Sequence, residues 1–226
     1  MSKGALAEGV FKGETINTPS MLAVEDAIFA LEWAKSVGGL HGLIARSDAN
    51  AHALSRYAAL CQEANIVPIV EPEVLYEGDH SIDTAARTTG EALKVLFEML
   101  ELLKVDLSGL ILKTSMVLAG TQNTMSTPQE VADYTLKVLN KSVPRAVGGI
   151  VFLSGGQSPE QASANLNAIG QSGHQPWPIT YSFSRAVQDP VMKLWKGKAT
   201  NTKKAQTKFI QLLAQNSAAR NGEYTS

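Results

Sequence analysis

Three short apolar segments of this chain end in residues that can do chemistry. The first ends in Glu71-Pro72-Glu73, the second in Lys113, and the third in Ser154-Gly155-Gly156. Because Lys113 closes an apolar run, we expect it to be partly desolvated, which favours the neutral amine. A neutral amine can attack a carbonyl carbon and form a Schiff base. A lysine at the end of a strand also commonly extends its ammonium group into solvent, so position alone leaves both roles open.

Glu71 is the acid or base that this chemistry would require. If its segment and that of Lys113 form neighbouring strands, the carboxyl group would lie near the amine and could move protons while a carbinolamine loses water. The same position would suit a glutamate that serves only as a structural ion-pair partner.

A phosphate site is predicted at the end of the third segment. Backbone N–H groups of the range 154–156, just before the helix start at Ser158-Pro159, could hold an anion. Arg185 follows the fourth apolar segment and could add a bidentate contact. A flexible turn and a surface arginine would explain the same residues without any ligand. The full predicted set is Ser154, Gly155, Gly156, Ser182 and Arg185.

Composition and charge argue against several other classes of protein. The 226 residues carry 20 Lys+Arg against 21 Asp+Glu, a net charge of −1, so we expect no nucleic-acid partner. The longest apolar runs fall far short of the roughly 20 residues of a membrane span. The start of the sequence lacks the apolar region of a secretory signal, and Cys61 is the only cysteine, which together favour the cytoplasm.

The histidines show no metal-ligand spacing, so we expect no metal site. Asp79 and His80 are interpreted as loop and helix-cap residues.

Four strand patterns alternate with helical patterns. Strands are predicted over 66–71, 109–114, 148–153 and 178–182, and helices over 19–37, 47–64, 85–104, 128–141, from 159 onward, 186–195 and 201–218. This alternation indicates right-handed βα units and a parallel sheet. A complete (β/α)₈ barrel has eight strands. The predicted fold class is therefore α/β, with residues 66–226 forming half of a TIM (β/α)₈ barrel after an N-terminal helical segment, although the same alternation also occurs in an open doubly wound sheet. Its open edges require cover from the first 65 residues or from another chain.

From about Ala49 to Ser226 the sequence closely resembles class I fructose-bisphosphate aldolase. The resemblance rests on four motifs. They are Val67-Pro68-Ile69-Val70-Glu71-Pro72-Glu73, Leu112-Lys113, Phe152-Leu153-Ser154-Gly155-Gly156-Gln157-Ser158 and Ala164-Asn165-Leu166-Asn167-Ala168-Ile169.

The resemblance implies a glycolytic lyase that needs no metal. Lys113 would form the Schiff base, Glu71 would be the general acid and base, and Glu73 would belong to the supporting hydrogen-bond network. The substrate would be a phosphorylated sugar, fructose 1,6-bisphosphate, cleaved reversibly to dihydroxyacetone phosphate and glyceraldehyde 3-phosphate. The range 154–155 and Arg185 would contact phosphate.

The sequence also departs from the family. Thr114-Ser115 replaces the usual Pro-Asn after the lysine, and Ser184 replaces the glycine before the arginine. The family's first four strands, with an aspartate and two lysines of the active site, have no counterpart in the resemblance, which therefore implies that the predicted units are the last four βα units of the barrel. We therefore expect impaired cleavage.

Residues 1–50 instead resemble part of phosphoserine aminotransferase. The resemblance is carried by Phe11-Lys12-Gly13-Glu14-Thr15-Ile16-Asn17-Thr18-Pro19-Ser20 and Trp33-Ala34-Lys35-Ser36-Val37-Gly38-Gly39-Leu40. The lysine that holds pyridoxal phosphate in that family lies upstream of this piece, so we expect no cofactor. The predicted domains are 1–50 and 51–226. The alternative function is a non-catalytic, chimeric half-barrel scaffold that forms a homo-oligomer.

Overall fold

The computed structural model describes the backbone of residues 40–225 and the side chains of residues 48–225. Within this part of the chain, strands and helices alternate. They are α1 Leu40–Glu63, β1 Ile69–Val70, α2 Ile82–Leu102, β2 Ile111–Thr114, α3 Pro128–Ser142, β3 Gly149–Phe152, α4 Pro159–Gln171, β4 Ile179–Tyr181, α5 Arg185–Trp195 and α6 Thr202–Arg220. Short 3₁₀ turns at Leu107–Gly109 and Ala199–Asn201, which the sequence did not predict, precede β2 and α6.

The four strands form one parallel sheet in the order β1-β2-β3-β4. This confirms the predicted α/β class and the four predicted strands, each shorter than expected. Because all strands run the same way, their last residues meet at one edge of the sheet, which we call the carboxyl edge.

The two faces of the sheet differ in burial. Leu112 and Thr114 on β2, with Ile150 and Phe152 on β3, are buried against the helices. The residues between them are only half-buried, and Lys113 pairs in register with Val151. Among residues 48–225, helices therefore cover one face. We call the other the open face.

Local sequence signals explain where α3 and α4 begin. Thr127 and Glu130 form a reciprocal capping box at α3, Ser158 and Gln161 form another at α4, and each helix has proline in its first turn. At α2 the cap is Ser81, whose side chain accepts a hydrogen bond from the Thr84 N–H. The prediction of a cap at Asp79 or His80 is therefore wrong, although both residues do lie in the loop before α2.

Two predictions concern the N-terminal part of the chain. The helix predicted over 19–37 lies outside the described residues, as does most of the segment that resembles phosphoserine aminotransferase. α1 begins at Leu40 rather than near Ser47, and it passes through the boundary predicted at residue 50. That boundary stays a prediction. In the described part of the chain, each helix is too short or too polar to span a bilayer.

Candidate active site

Lys113 and Glu71 form an ion pair at the carboxyl edge. The register of β1 and β2 pairs Val70 with Leu112. The residues that follow them, Glu71 and Lys113, therefore also lie side by side. Lys113 Nζ is 2.8 Å from Glu71 Oε1. A proton can pass directly between these atoms at that distance.

The pair is accessible to a small molecule. The Lys113 side chain is 24% exposed and that of Glu71 is 40% exposed. Lys113 lies on the open face, so its amine is approachable from the side that the described helices leave free. The Lys113 side chain is thus partly buried and still open to a small molecule.

The predicted phosphate turn lies beside this pair. Leu153 N–H donates to the carbonyl of Thr114 at 3.0 Å, so the range 154–156 begins next to the residue that follows Lys113. Ser154 is buried, and its Oγ accepts a hydrogen bond from Ala186 N–H at 3.4 Å. This bond ties the turn after β3 to the first turn of α5.

Arg185 faces the same turn. A Cβ atom placed on Gly155 would lie 3.4 Å from Arg185 Nη2. Arg185 Nη2 also donates to the hydroxyl oxygen of Tyr76 at 3.4 Å. This contact with Tyr76 raises the pKa of Arg185 above its ordinary value, and the charges of Glu73 and Asp189 act in the same direction. Arg185 is therefore a permanent cation beside the turn.

The other two predicted residues are less closely involved. Glu73 has an exposed side chain, makes no hydrogen bond within residues 48–225, and lies close enough to Arg185 to affect its pKa. Its role in a hydrogen-bond network with Lys113 stays a prediction. Ser182 has an exposed side chain, and its N–H donates to the Phe152 carbonyl at 2.8 Å.

Tyr76 is the residue of this site that the sequence reasoning missed. Its ring lies against the turn, since a Cβ on Gly156 would come within 2.8 Å of Tyr76 Cγ. Its carbonyl accepts a hydrogen bond from Thr121 N–H at 2.9 Å. The only available signal was an aromatic residue in the loop after β1, and it matched no motif.

The opposite edge of the sheet carries a separate cavity. Its volume is about 340 Å³, and its lining includes His174, Trp177, Ile179 and Arg220. These residues precede or begin β4, or end α6, so the cavity lies away from Lys113. Within the described residues, no three His, Cys, Asp or Glu side chains are grouped as metal ligands would be.

A comparison with known families shows which family the chain belongs to. A family model described as fructose-bisphosphate aldolase class-I matches residues 43–226. The chain belongs to the class I fructose-bisphosphate aldolase family. The match begins at residue 43, earlier than the resemblance that the sequence suggested from about Ala49.

Individual relatives support the same assignment. The cytosolic fructose-bisphosphate aldolase 5 of Arabidopsis thaliana is 46% identical over 177 residues, which are 78% of this chain and 49% of the relative. A probable class 1 fructose-bisphosphate aldolase of Xanthomonas campestris is 46% identical over 179 residues, 78% of this chain and 54% of the relative.

The fold is shared with a solved member of the family. The aldolase of Plasmodium falciparum, crystallised with TRAP and a small-molecule inhibitor, matches with a TM-score of 0.78 and 44% identity. The match covers 80% of this chain and 52% of the aldolase. The chain thus spans about half the length of the relatives it matches.

Proposed function

We propose that this chain performs the Schiff-base chemistry of a class I fructose-bisphosphate aldolase. In this reaction fructose 1,6-bisphosphate is cleaved reversibly to dihydroxyacetone phosphate and glyceraldehyde 3-phosphate. The observation that carries the proposal is the 2.8 Å contact between Lys113 Nζ and Glu71 Oε1 on the open face. A partly buried amine with a carboxylate in proton-transfer range is what imine formation requires.

The imine would form in two steps. With its proton passed to Glu71, Lys113 Nζ attacks the ketone carbon of the substrate and gives a carbinolamine. Glu71 then returns a proton to the carbinolamine hydroxyl, which leaves as water while the C=N bond forms. The resulting iminium withdraws electrons from the neighbouring carbon–carbon bond.

The substrate phosphate would bind at the neighbouring turn. The N–H groups of Gly155 and Gly156, the serines 154 and 182, and the guanidinium group of Arg185 would hold it. A phosphate fixed there would place the ketone near Lys113, because the turn begins beside Thr114. Glu73 would belong to the supporting hydrogen-bond network, as the family resemblance implies.

Bond cleavage needs one more group. A base must accept the proton of the substrate hydroxyl as the carbon–carbon bond breaks, and the family resemblance assigns this role to an aspartate that precedes the matched region. We therefore expect residues 43–226 to form the imine readily and to turn over fructose 1,6-bisphosphate slowly.

Two finer assignments belong with this function. The four βα units would be the last four of a TIM (β/α)₈ barrel, which is supported by the match to about half of a solved aldolase. The protein would work in the cytoplasm, as the names of its Arabidopsis relatives indicate for them.

Trapping of the imine tests the proposal directly. Borohydride reduction in the presence of dihydroxyacetone phosphate converts the iminium to a stable secondary amine, and peptide mass spectrometry should locate the added mass on Lys113. The matched control is Lys94→Met, which removes an exposed lysine paired with Glu98 on α2 and should trap normally. A Lys113→Met variant that still gains the mass would refute the proposed role of Lys113.

A second candidate is a self-associating half-barrel scaffold. Its support is the exposed apolar edge of the sheet: the exposed fractions are 58% for Ile66, 59% for Val67 and 46% for Ile69. An open edge of this kind favours pairing with another strand. Sedimentation velocity over a range of concentrations separates the candidates, since a scaffold should dimerise and Val67→Lys should reduce that dimerisation.

A further inference from the structure

Three loops from different strands meet at Tyr76. The residue itself follows β1, its ring contacts the turn after β3, and its hydroxyl contacts Arg185 after β4. Resemblance to the family assigned it no role. Its place between the anion-binding turn and the cation makes it the strongest unassigned feature of the site.

The position of Tyr76 is fixed by its backbone. The Tyr76 carbonyl accepts from Thr121 N–H at 2.9 Å, and the Gly78 carbonyl accepts from Gln122 N–H at 2.8 Å. Close packing supports these bonds, because a Cβ on Gly120 would lie 2.3 Å from the Gly78 oxygen. The loop that carries Tyr76 is therefore held against the loop after β2.

The Tyr76 ring packs on the turn but takes none of its hydrogen-bond donors. It occupies the space that side chains would fill at Gly155 and Gly156, with Cε1 and Cγ as the nearest ring atoms. In the described residues neither glycine N–H donates to a protein acceptor. The ring thus lies against the turn, and the N–H groups of Gly155 and Gly156 have no acceptor among the described residues.

The hydroxyl is arranged to donate to an anion. Because its oxygen accepts from Arg185 Nη2, its own hydrogen must point away from the guanidinium group. A phosphate drawn to Arg185 lies beside the same oxygen and offers a charged acceptor. Tyr76 remains partly exposed, so a ligand can reach it.

We propose that Tyr76 is a phosphate-binding residue whose hydroxyl donates to a phosphate monoester held by Arg185 and the turn of residues 154–156. The inference rests on the proposed function, since it concerns the phosphate end of the same substrate. It adds a contact from the loop after β1 to contacts that come from β3 and β4.

A titration with inorganic phosphate, followed by ³¹P NMR, tests the inference. Tyr76→Phe keeps the ring against the glycines and removes only the hydroxyl, so we expect phosphate affinity to fall roughly tenfold, the usual effect of a hydrogen bond to a charged group. The matched control is Tyr134→Phe, which removes a hydroxyl that donates to Asp83 Oδ1 between α2 and α3. It should bind phosphate as the unmodified protein does.

Each other outcome overturns the inference. Unchanged affinity in Tyr76→Phe would show that the hydroxyl makes no contact, and tighter binding would show that it competes with phosphate for Arg185. An unmodified protein that binds no phosphate would also refute it. Imine trapping by the unmodified protein with dihydroxyacetone, which carries no phosphate, tests the role of Lys113 separately, so failure there leaves the phosphate result intact.

Discussion

At the scale of single residues, Glu71 must do more than neutralise Lys113. Glu71→Gln keeps the shape of the side chain but removes the group that accepts and returns the proton. We expect the rate of imine formation with dihydroxyacetone phosphate to fall by about 10² or more, the usual contribution of acid and base catalysis. The rate is measured by trapping with cyanoborohydride and mass spectrometry.

The control for this prediction is another ion pair of the same kind. Glu98→Gln removes the partner of Lys94, 3.7 Å away on the exposed side of α2, and should leave the trapping rate unchanged. Equal rates for Glu71→Gln and the unmodified protein would mean that Glu71 is only an electrostatic partner.

Gly156 is constrained by both its backbone and its neighbour. Its φ is +75°, and a Cβ there would meet the Tyr76 ring. Gly173, with φ +84° and no atom within 4 Å of its Cβ position, shares only the backbone constraint. We expect Gly173→Ala to lower the free energy of unfolding by about 1–2 kcal/mol. Gly156→Ala should lower the free energy of unfolding by about 1–3 kcal/mol more than Gly173→Ala does, because the added methyl group also meets the Tyr76 ring.

Urea denaturation checks the Gly156 prediction with four variants, which are Gly156→Ala, Gly173→Ala, Tyr76→Ala and the double variant Tyr76→Ala/Gly156→Ala. Adding Tyr76→Ala should make Gly156→Ala as mild as Gly173→Ala, because the ring that the new methyl meets is gone. Equal losses of unfolding free energy for Gly156→Ala and Gly173→Ala in the presence of Tyr76 would contradict the prediction. They would show that the Tyr76 ring moves aside for the added methyl group without loss of stability.

At the scale of elements, the two capping boxes differ in one titrating group. In α3 the hydrogen bonds from Thr127 lower the pKa of Glu130, whereas the equivalent residue of α4 is Gln161. A lowered pKa in the folded state means that the box stabilises α3 at neutral pH. This contribution is lost as the pH falls from the ordinary glutamate value of about 4.3 through the lower folded-state value.

Amide hydrogen exchange measures this difference between helices. We expect protection in the first turn of α3 to decline on acidification while that of α4 changes little. Glu130→Gln should make α3 behave as α4 does. A parallel decline in both helices would assign the effect to the whole fold and not to the cap of α3.

The elements were predictable from the sequence, but their meeting at the site was only partly so. Helix starts and apolar periodicity are local signals, so the capping boxes at Thr127 and Ser158 and the four strands were found. The Lys113–Glu71 contact followed from parallel neighbouring strands. Tyr76 was missed because its partner Arg185 is 109 residues away and no periodicity reports such a contact.

At the scale of the whole molecule, a phosphorylated ligand should stabilise the fold. Dihydroxyacetone phosphate would link Lys113 on β2 with the turn after β3 and with Arg185. At 100 times the dissociation constant, binding contributes about 2.7 kcal/mol. For a chain of this size the melting temperature should rise by roughly 5–10 °C.

Differential scanning calorimetry checks this prediction, with dihydroxyacetone at the same concentration as the control. The control ligand reaches Lys113 but lacks the phosphate, so it should produce a smaller rise. Identical shifts for the two ligands would show that the turn and Arg185 add nothing to binding.

The 109-residue separation of Tyr76 and Arg185 also orders events during refolding. Helices α2 to α4 can form from contacts within their own segments. The contact between Tyr76 and Arg185 can form only after all four strands have docked. Phosphate binding should therefore recover later than the helical circular dichroism signal. The rate at which phosphate binding returns would then report the last step of folding, the docking of the loops that carry Tyr76 and Arg185.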